Sequence, residues 1–312
     1  MSTASEALRE IRPPLETFKG AQPPYPAWFD AALGAHTETG NIRVEGAEIS
    51  WKAWGERGKP GVLLIHGGVA HKQWWDGIAP FLTGNYRVAA LDLSGMGDSA
   101  HRDIYRMPLY ADEARAVADT AGLFDAGKPF FVGHSFGGFV TMVSAMKFGD
   151  ALAGAVILDS PVRPPEKQRS SSPPQRGGKT YEKAETAIAR FRLLPPQTCD
   201  NVHIIDHIAR NSLKAVDGGW SWKFDPNLWA KLEYQRREPT HLRDSAECPL
   251  AFFRGSDSSL VTDEVWSFMR DTFGPDTPMI SIPDAQHHLI LDQPIAVASA
   301  LATLFGAGWG QR

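Results

Sequence analysis

From Asn41 onward, short apolar runs and longer segments of helical period take turns along the chain. Asn41–Glu45 and Glu48–Trp54 predict two strands paired around Gly46. Gly61-Val-Leu-Leu-Ile65, Tyr86–Leu93, Phe130–His134 and Leu152–Leu158 are continuous apolar runs closed by turn residues. Runs of this length without alternation predict strands buried on both faces. Between them, Lys72–Leu82, Tyr110–Phe124 and Phe136–Phe148 carry helical patterns. The alternation predicts an α/β fold, a mostly parallel twisted sheet flanked by helices.

The rhythm breaks between residues 161 and 245. Helical stretches are predicted there over Glu182–Leu193, Val202–Leu213 and Pro226–Arg236, with no central strand. Arg163–Lys179 has five basic residues and one acidic residue among Pro, Ser and Gly, and reads as a mobile loop. Strand and helix patterns return at Pro249–Arg254, Thr262–Thr272, Met279–Ile282 and Pro294–Phe305. Residues 1–40, broken by Pro13, Pro14, Pro23, Pro24 and Pro26, read as an N-terminal arm strapped to the surface. The chain therefore divides into that arm, an α/β core over 41–160 and 246–312, and a helical cap insertion over 161–245. The cap is expected above the carboxyl edge of the sheet, where open α/β folds place their sites.

Composition narrows the partners. A length of 312 residues with 43% hydrophobic positions suits one full-sized core plus an insertion. Lys and Arg total 32 against 36 Asp and Glu, a net charge of −4. That balance disfavours nucleic acid and anionic membrane as partners. No basic start followed by an apolar run marks a signal peptide, and the apolar runs are strand-sized, so a soluble, cytoplasmic protein is expected. Cys199 and Cys248 make neither a disulfide scaffold nor a zinc spacing. Oligomeric state is left open by these features.

Gly133-His134-Ser135-Phe136-Gly137 is a G-x-S-x-G sequence between a predicted strand and a predicted helix. A nucleophile at such a turn is held in strained backbone, and its flanking glycines let neighbouring backbone approach. The helix start behind it adds positive potential where an oxyanion would form. Three further motifs accompany the elbow: His66-Gly67-Gly68-Val69, Asp92-Leu-Ser-Gly95-Met-Gly97-Asp-Ser99, and His287-His288-Leu-Ile-Leu-Asp292-Gln-Pro294. Over residues 41–160 and 246–312 the chain resembles the α/β-hydrolase superfamily, in its serine-nucleophile, esterase-like branch with a helical cap.

The resemblance implies roles for particular residues. Ser135 stands at the nucleophile and His287, rather than His288, at the base, because Asp292-Gln293-Pro294 fixes the interval. The acid is expected at Asp159, at the end of the sixth strand, with Asp257 the alternative after Gly255. The oxyanion donors are expected to be the amides of Phe136 and Gly68, with Val69 the alternative to Gly68. The Asp92–Ser99 turn is given a structural role only. Trp74, Trp75, Trp220 and Trp222 are candidate substrate-binding residues, because aromatic rings supply large apolar contact area. His203 and His207 have a metal-compatible spacing, but the stretch reads as a cap helix, so neither a metal nor a cofactor is expected. The implied activity is hydrolysis of a small hydrophobic or aromatic carboxylic ester through an acyl-enzyme. A lactonase or a carbon–carbon bond hydrolase on the same triad is the alternative, followed by a non-catalytic, receptor-like member of the fold.

Overall fold

The structure, a computed structural model, describes residues 11–168, 178–233 and 239–310. An eight-stranded sheet forms its centre. A hairpin of β1 (Thr37–Val44) and β2 (Ala47–Trp54) opens it. β1 alternates in burial, as an outer strand does, and begins at Thr37, ahead of the expected Asn41. The apolar runs become β3 (Gly61–Ile65), β4 (Arg87–Leu91), β6 (Phe130–His134) and β7 (Gly154–Leu158), each buried at every position. β5 (Tyr105–Arg106) lies outside this sheet. β11 (Leu250–Gly255) and β12 (Met279–Ile282) complete it.

The strand order is β1-β2-β4-β3-β6-β7-β11-β12, and β2 is antiparallel to both its neighbours. The strands from β4 to β12 run parallel. From β3 the chain proceeds to β4 on one side, and from β6 to β7 on the other. The loops leaving β3 and β6 therefore part company, which opens a crevice at their carboxyl ends. His66–Val69 and Ser135 sit there.

Alternate residues of the strands feed the two faces. Val62 and Leu64 pack with α2 (Ala79–Leu82) and α10 (Pro294–Gly306) through Leu82, Val297, Leu301 and Phe305. Leu63 and Ile65 pack with α3 (Met107–Thr120) and α4 (Phe136–Phe148) through Tyr110, Val117 and Val140. α9 (Asp263–Phe273) covers β11 through Val265, Trp266 and Met269 against Phe252. Burying a side chain of this size stabilises by about 1.5–3 kcal/mol. The expected single helix over Lys72–Leu82 is instead a 3-10 turn, Lys72–Trp75, followed by α2. Gly77 and Pro80 divide the segment.

Residues 161–245 differ from a purely helical insertion. α5 (Ala184–Ile188), α6 (Val202–Asn211), α7 (Leu228–Lys231) and α8 (Pro239–Ser245) are present. Between α6 and α7 stands a hairpin of β8 (Leu213–Val216) and β9 (Gly219–Trp222), joined through Asp217 and Gly218. The Asp-Gly pair is a hairpin signal that the helical reading of this region passed over. β10 (Leu232–Glu233) follows α7 and pairs with β5, within the stretch expected to continue as helix. Of the Arg163–Lys179 loop, residues 169–177 lie outside the described residues, as do 234–238 and 1–10.

The arm does more than strap the core. Phe29, on α1 (Ala27–Leu33), is fully buried and meets the rings of His203 and His207 on α6 at 5.1 and 5.7 Å. The Tyr25 hydroxyl donates to Asp206 at 2.8 Å, and Arg210 donates to the Gly20 carbonyl at 2.9 Å. From the other side His71 ties α6 to the core. Its Nδ1 faces Gln73 Oε1 and its Nε2 faces Ser212 Oγ, each at 2.8 Å.

Burial lowers the His71 pKa to about 4, against the ordinary 6.5. Below pH 6.5 the unfolded chain then binds a proton that the native ring refuses, so stability must fall as pH drops from about 6.5 towards 4. Urea unfolding at a series of pH values should show this fall, and His71→Gln should make it shallower. An unchanged pH dependence in the variant would remove His71 from the account.

Candidate active site

Ser135 stands between β6 and α4 with φ 53° and ψ −115°, a conformation that costs an ordinary residue energy and turns its hydroxyl outward. The turn is tight enough that a Cβ on Gly133 would lie 2.1 Å from the Gly137 carbonyl oxygen. That contact explains the first glycine of the motif by space rather than by dihedral freedom.

The carboxyl ends of β6 and β7 and the loop after β12 converge on this serine. Ser135 Oγ lies 3.0 Å from His287 Nε2, and His287 Nδ1 lies 2.8 Å from Asp159 Oδ1. A carboxylate can only accept, so Nδ1 carries the imidazole proton and Nε2 is left to accept from the serine hydroxyl. Asp159 is wholly buried, at φ 48°, a region Asp tolerates better than most residues. Its Oδ1 also accepts from the Ser258 hydroxyl at 2.6 Å, and its Oδ2 from the Gly255 amide at 2.9 Å. Ser258 is fixed in turn by accepting from the Val261 amide at 3.0 Å. Asp257, the alternative acid, is exposed and donates only its backbone amide, to Ala285 O at 2.9 Å, so the structure does not bring its carboxylate to His287.

Two further histidines surround His287. His134 Nε2 donates to the His287 carbonyl at 2.9 Å, bracing the loop that carries the ring. Burial, reinforced by neighbouring His287, lowers the His134 pKa to about 3, so it stays neutral. His288 packs its ring 4.8 Å from that of His287, and its amide donates to Gln197 Oε1 at 2.9 Å. Burial, then His287 and His134, hold His288 well below the ordinary range. Asp292 closes the loop by accepting from the Gln286 amide at 2.8 Å and from Gln197 Nε2 at 2.9 Å. This contact is why the Asp292-x-Pro294 interval singles out His287.

The His66–Val69 loop faces the serine from β3. His66 holds it, Nδ1 donating to Gly67 O at 2.7 Å and Nε2 accepting from the Leu93 amide at 3.1 Å. The Val69 amide donates to Met96 Sδ at 3.2 Å, so it is spent within the scaffold and Gly68 is the better placed of the two. The Phe136 amide opens α4, where no carbonyl one turn back lies within the helix. In the Asp92–Ser99 turn, Asp92 accepts from the Lys72 amide, from Lys72 Nζ and from the Asp98 amide. That carboxylate is fully used in holding the turn.

The aromatic candidates separate. Trp74 is buried, with its ring 5.5 Å from that of His288. Trp75 is fully buried in the core beneath α2. Trp220 is on the exposed hairpin, bridged to Tyr181, and Trp222 packs on Tyr181 and Phe191. Trp75 and Trp222 are thus placed in packing, while the Trp220 side chain is exposed. The ring that does stand over the site is Trp229 of α7, 5.6 Å from Phe136 and against Gly68. Only its place in the insertion could have suggested it. His203 and His207 share a face of α6 but are spent on the arm and, for His207, on Asp76 at 2.8 Å. His134, His287 and His288 offer nitrogens within 4.8 Å of one another. Both His287 nitrogens already face Asp159 and Ser135.

Comparison with known proteins agrees with this architecture. The sequence model of the alpha/beta hydrolase family matches residues 62–300. Epoxide hydrolase 4 of Mus musculus is 30% identical over 155 residues, 48% of this chain and 42% of that protein, so the match spans less than half the relative's length. A serine hydrolase-like protein of Danio rerio is 24% identical over 294 residues, 83% of this chain and 85% of that one. The thioesterase domain from the curacin biosynthetic pathway shares the fold, with a TM-score of 0.69 at 23% identity over 86% of this chain and 99% of that domain. With the family model matching most of its length, the chain belongs to the alpha/beta hydrolase family.

Proposed function

We propose that the protein is a serine hydrolase that cleaves carboxylic esters of small, hydrophobic or aromatic molecules through an acyl-enzyme. The observation that carries this reading is the hydrogen-bonded line from buried Asp159 through His287 to Ser135. A serine hydroxyl is a weak nucleophile until an adjacent base takes its proton. As Ser135 Oγ bonds to the ester carbonyl carbon, its proton passes to His287 Nε2. The imidazolium is stabilised by Asp159, which stays ionised. The carbonyl oxygen becomes an oxyanion facing the Phe136 and Gly68 amides. Each such donor contributes about 2.7–4 kcal/mol in comparable sites. His287 then protonates the departing alcohol oxygen. A water molecule, deprotonated by the same nitrogen, attacks the acyl-enzyme, and the acid leaves as Ser135 regains its proton.

One relative bears the name epoxide hydrolase, yet the superfamily members that open epoxides carry an aspartate at the elbow. Ser135 at that position favours acyl transfer over epoxide opening. Small-molecule esters are the partners this reading requires. Lys72 pairs with Asp92 and Asp98, and Asp98 pairs also with Lys223. Among the described residues no helix is long and apolar enough to cross a membrane. A cytoplasmic location goes with the reading as an expectation, with Cys199 and Cys248 both free thiols.

A fluorophosphonate probe should label wild type and leave Ser135→Ala unlabelled; failure to label the intact protein would sink the enzyme reading. Asp159→Asn should lose about 10⁴-fold in turnover, as wrong-tautomer variants do, while Asp257→Asn keeps its rate. The opposite pattern would move the acid to Asp257. A panel of p-nitrophenyl esters, aryl esters, lactones and a vinylogous diketone tests the bond. Esters should turn over fastest, and activity confined to lactones or the diketone would replace the ester assignment.

A further inference from the structure

We infer that Trp229 sets the size of the acyl group, and that the substrates are short-acyl esters. This rests on the serine-hydrolase reading above. A tetrahedral centre on Ser135 Oγ has three other bonds to place. The leaving oxygen must face His287 Nε2, and the oxyanion must face the Phe136 and Gly68 amides. On this inference the acyl carbon takes the remaining direction, beside the rings that pack on the two donor residues. The Trp229 ring stands edge-to-face on Phe136 at 5.6 Å, and Phe136 stands edge-to-face on Tyr110 at 5.4 Å. The indole lies so close to the oxyanion loop that a methyl group on Gly68 would come within 2.8 Å of its Cη2 and 3.0 Å of its Cζ2. No methylene fits between indole and loop.

The indole is fixed in place rather than free to swing. α7 follows Asp225, a buried carboxylate that accepts from the Tyr105 hydroxyl, Lys231 Nζ and the Asn227 amide, each at 2.8 Å. The Asp225 amide donates to Gly95 O at 2.7 Å, and fully buried Leu228 anchors α7 from beneath. The Gly95–Met96 turn that receives α7 also holds the Val69 amide of the oxyanion loop. Indole and oxyanion loop are thus held by the same turn, so the gap between them is set by the scaffold. A side chain held this way discriminates by exclusion, and each methylene so refused is worth about 10–200-fold.

The test uses p-nitrophenyl acetate, butyrate and octanoate with wild type, Trp229→Phe and Trp229→Ala. Wild type should prefer acetate. In Trp229→Ala the octanoate-to-acetate ratio of kcat/KM should rise at least about tenfold, with Trp229→Phe between. Octanoate kcat/KM should also exceed the wild-type value outright, a gain that a damaged fold cannot produce. Hydrolysis by all three proteins with one unchanged chain-length profile would overturn the inference and leave the serine-hydrolase reading standing. Wild type that hydrolyses no ester and takes no fluorophosphonate would sink that reading, and this one with it.

Discussion

A carboxylate shut away from water has to be given its hydrogen bonds by the protein, and Asp159 is such a group. The cost of an unpaired buried charge is several kcal/mol, so each oxygen needs a donor in position. The donors come from two stretches distant in sequence: the Gly255 amide and Ser258 hydroxyl on one, and the His287 ring on the other. Satisfying Asp159 therefore fixes the loop after β11 against the loop after β12. It also fixes the tautomer of His287, because the only proton the carboxylate can receive from the ring is the one on Nδ1. Ser135 gains its accepting partner as a consequence. The strained elbow, the braced His134 and the Asp292 latch all hold geometry that this one buried group demands.

A second set of contacts joins the oxyanion loop to the insertion. Met96 takes the Val69 amide, Gly95 takes the Asp225 amide, and Asp225 carries α7. On the opposite side His71 links the Lys72–Trp75 turn to Ser212, and the arm grips α6 through Tyr25 and Phe29. The insertion is thus fastened at two points to the segments that flank the crevice. The segments that carry Trp229 and Gly68 share the Gly95–Met96 turn, which makes their relative position a property of the fold.

How far these features were legible in the sequence depended on the range of the forces behind them. The central strands were plain, because burial on both faces forces unbroken apolar runs such as Gly61–Ile65. Ser135 was plain, because a strand-to-helix elbow demands glycine on each side. His287 could be told from His288 by the interval to Asp292, a local constraint. Asp159 was harder, since its selection depends on Ser258 and Gly255 about a hundred residues away. The aromatic residues were hardest. Trp75, Trp222 and Trp229 look alike in sequence, and only tertiary packing sends the first two into packing and the third to the loop at Gly68. The β8–β9 hairpin is marked in the sequence only by one Asp-Gly pair, between two segments of helical period.

The proton between His287 and Asp159 is the link on which the triad depends. Low-field proton NMR on protein labelled with ¹⁵N at histidine observes it directly, since a proton shared between a buried ring nitrogen and a carboxylate resonates far downfield of ordinary ring protons. One such signal should be attached to His287 Nδ1, retained in Asp257→Asn and absent in Asp159→Asn. A signal that survives Asp159→Asn and disappears in Asp257→Asn would contradict Asp159 as the acid.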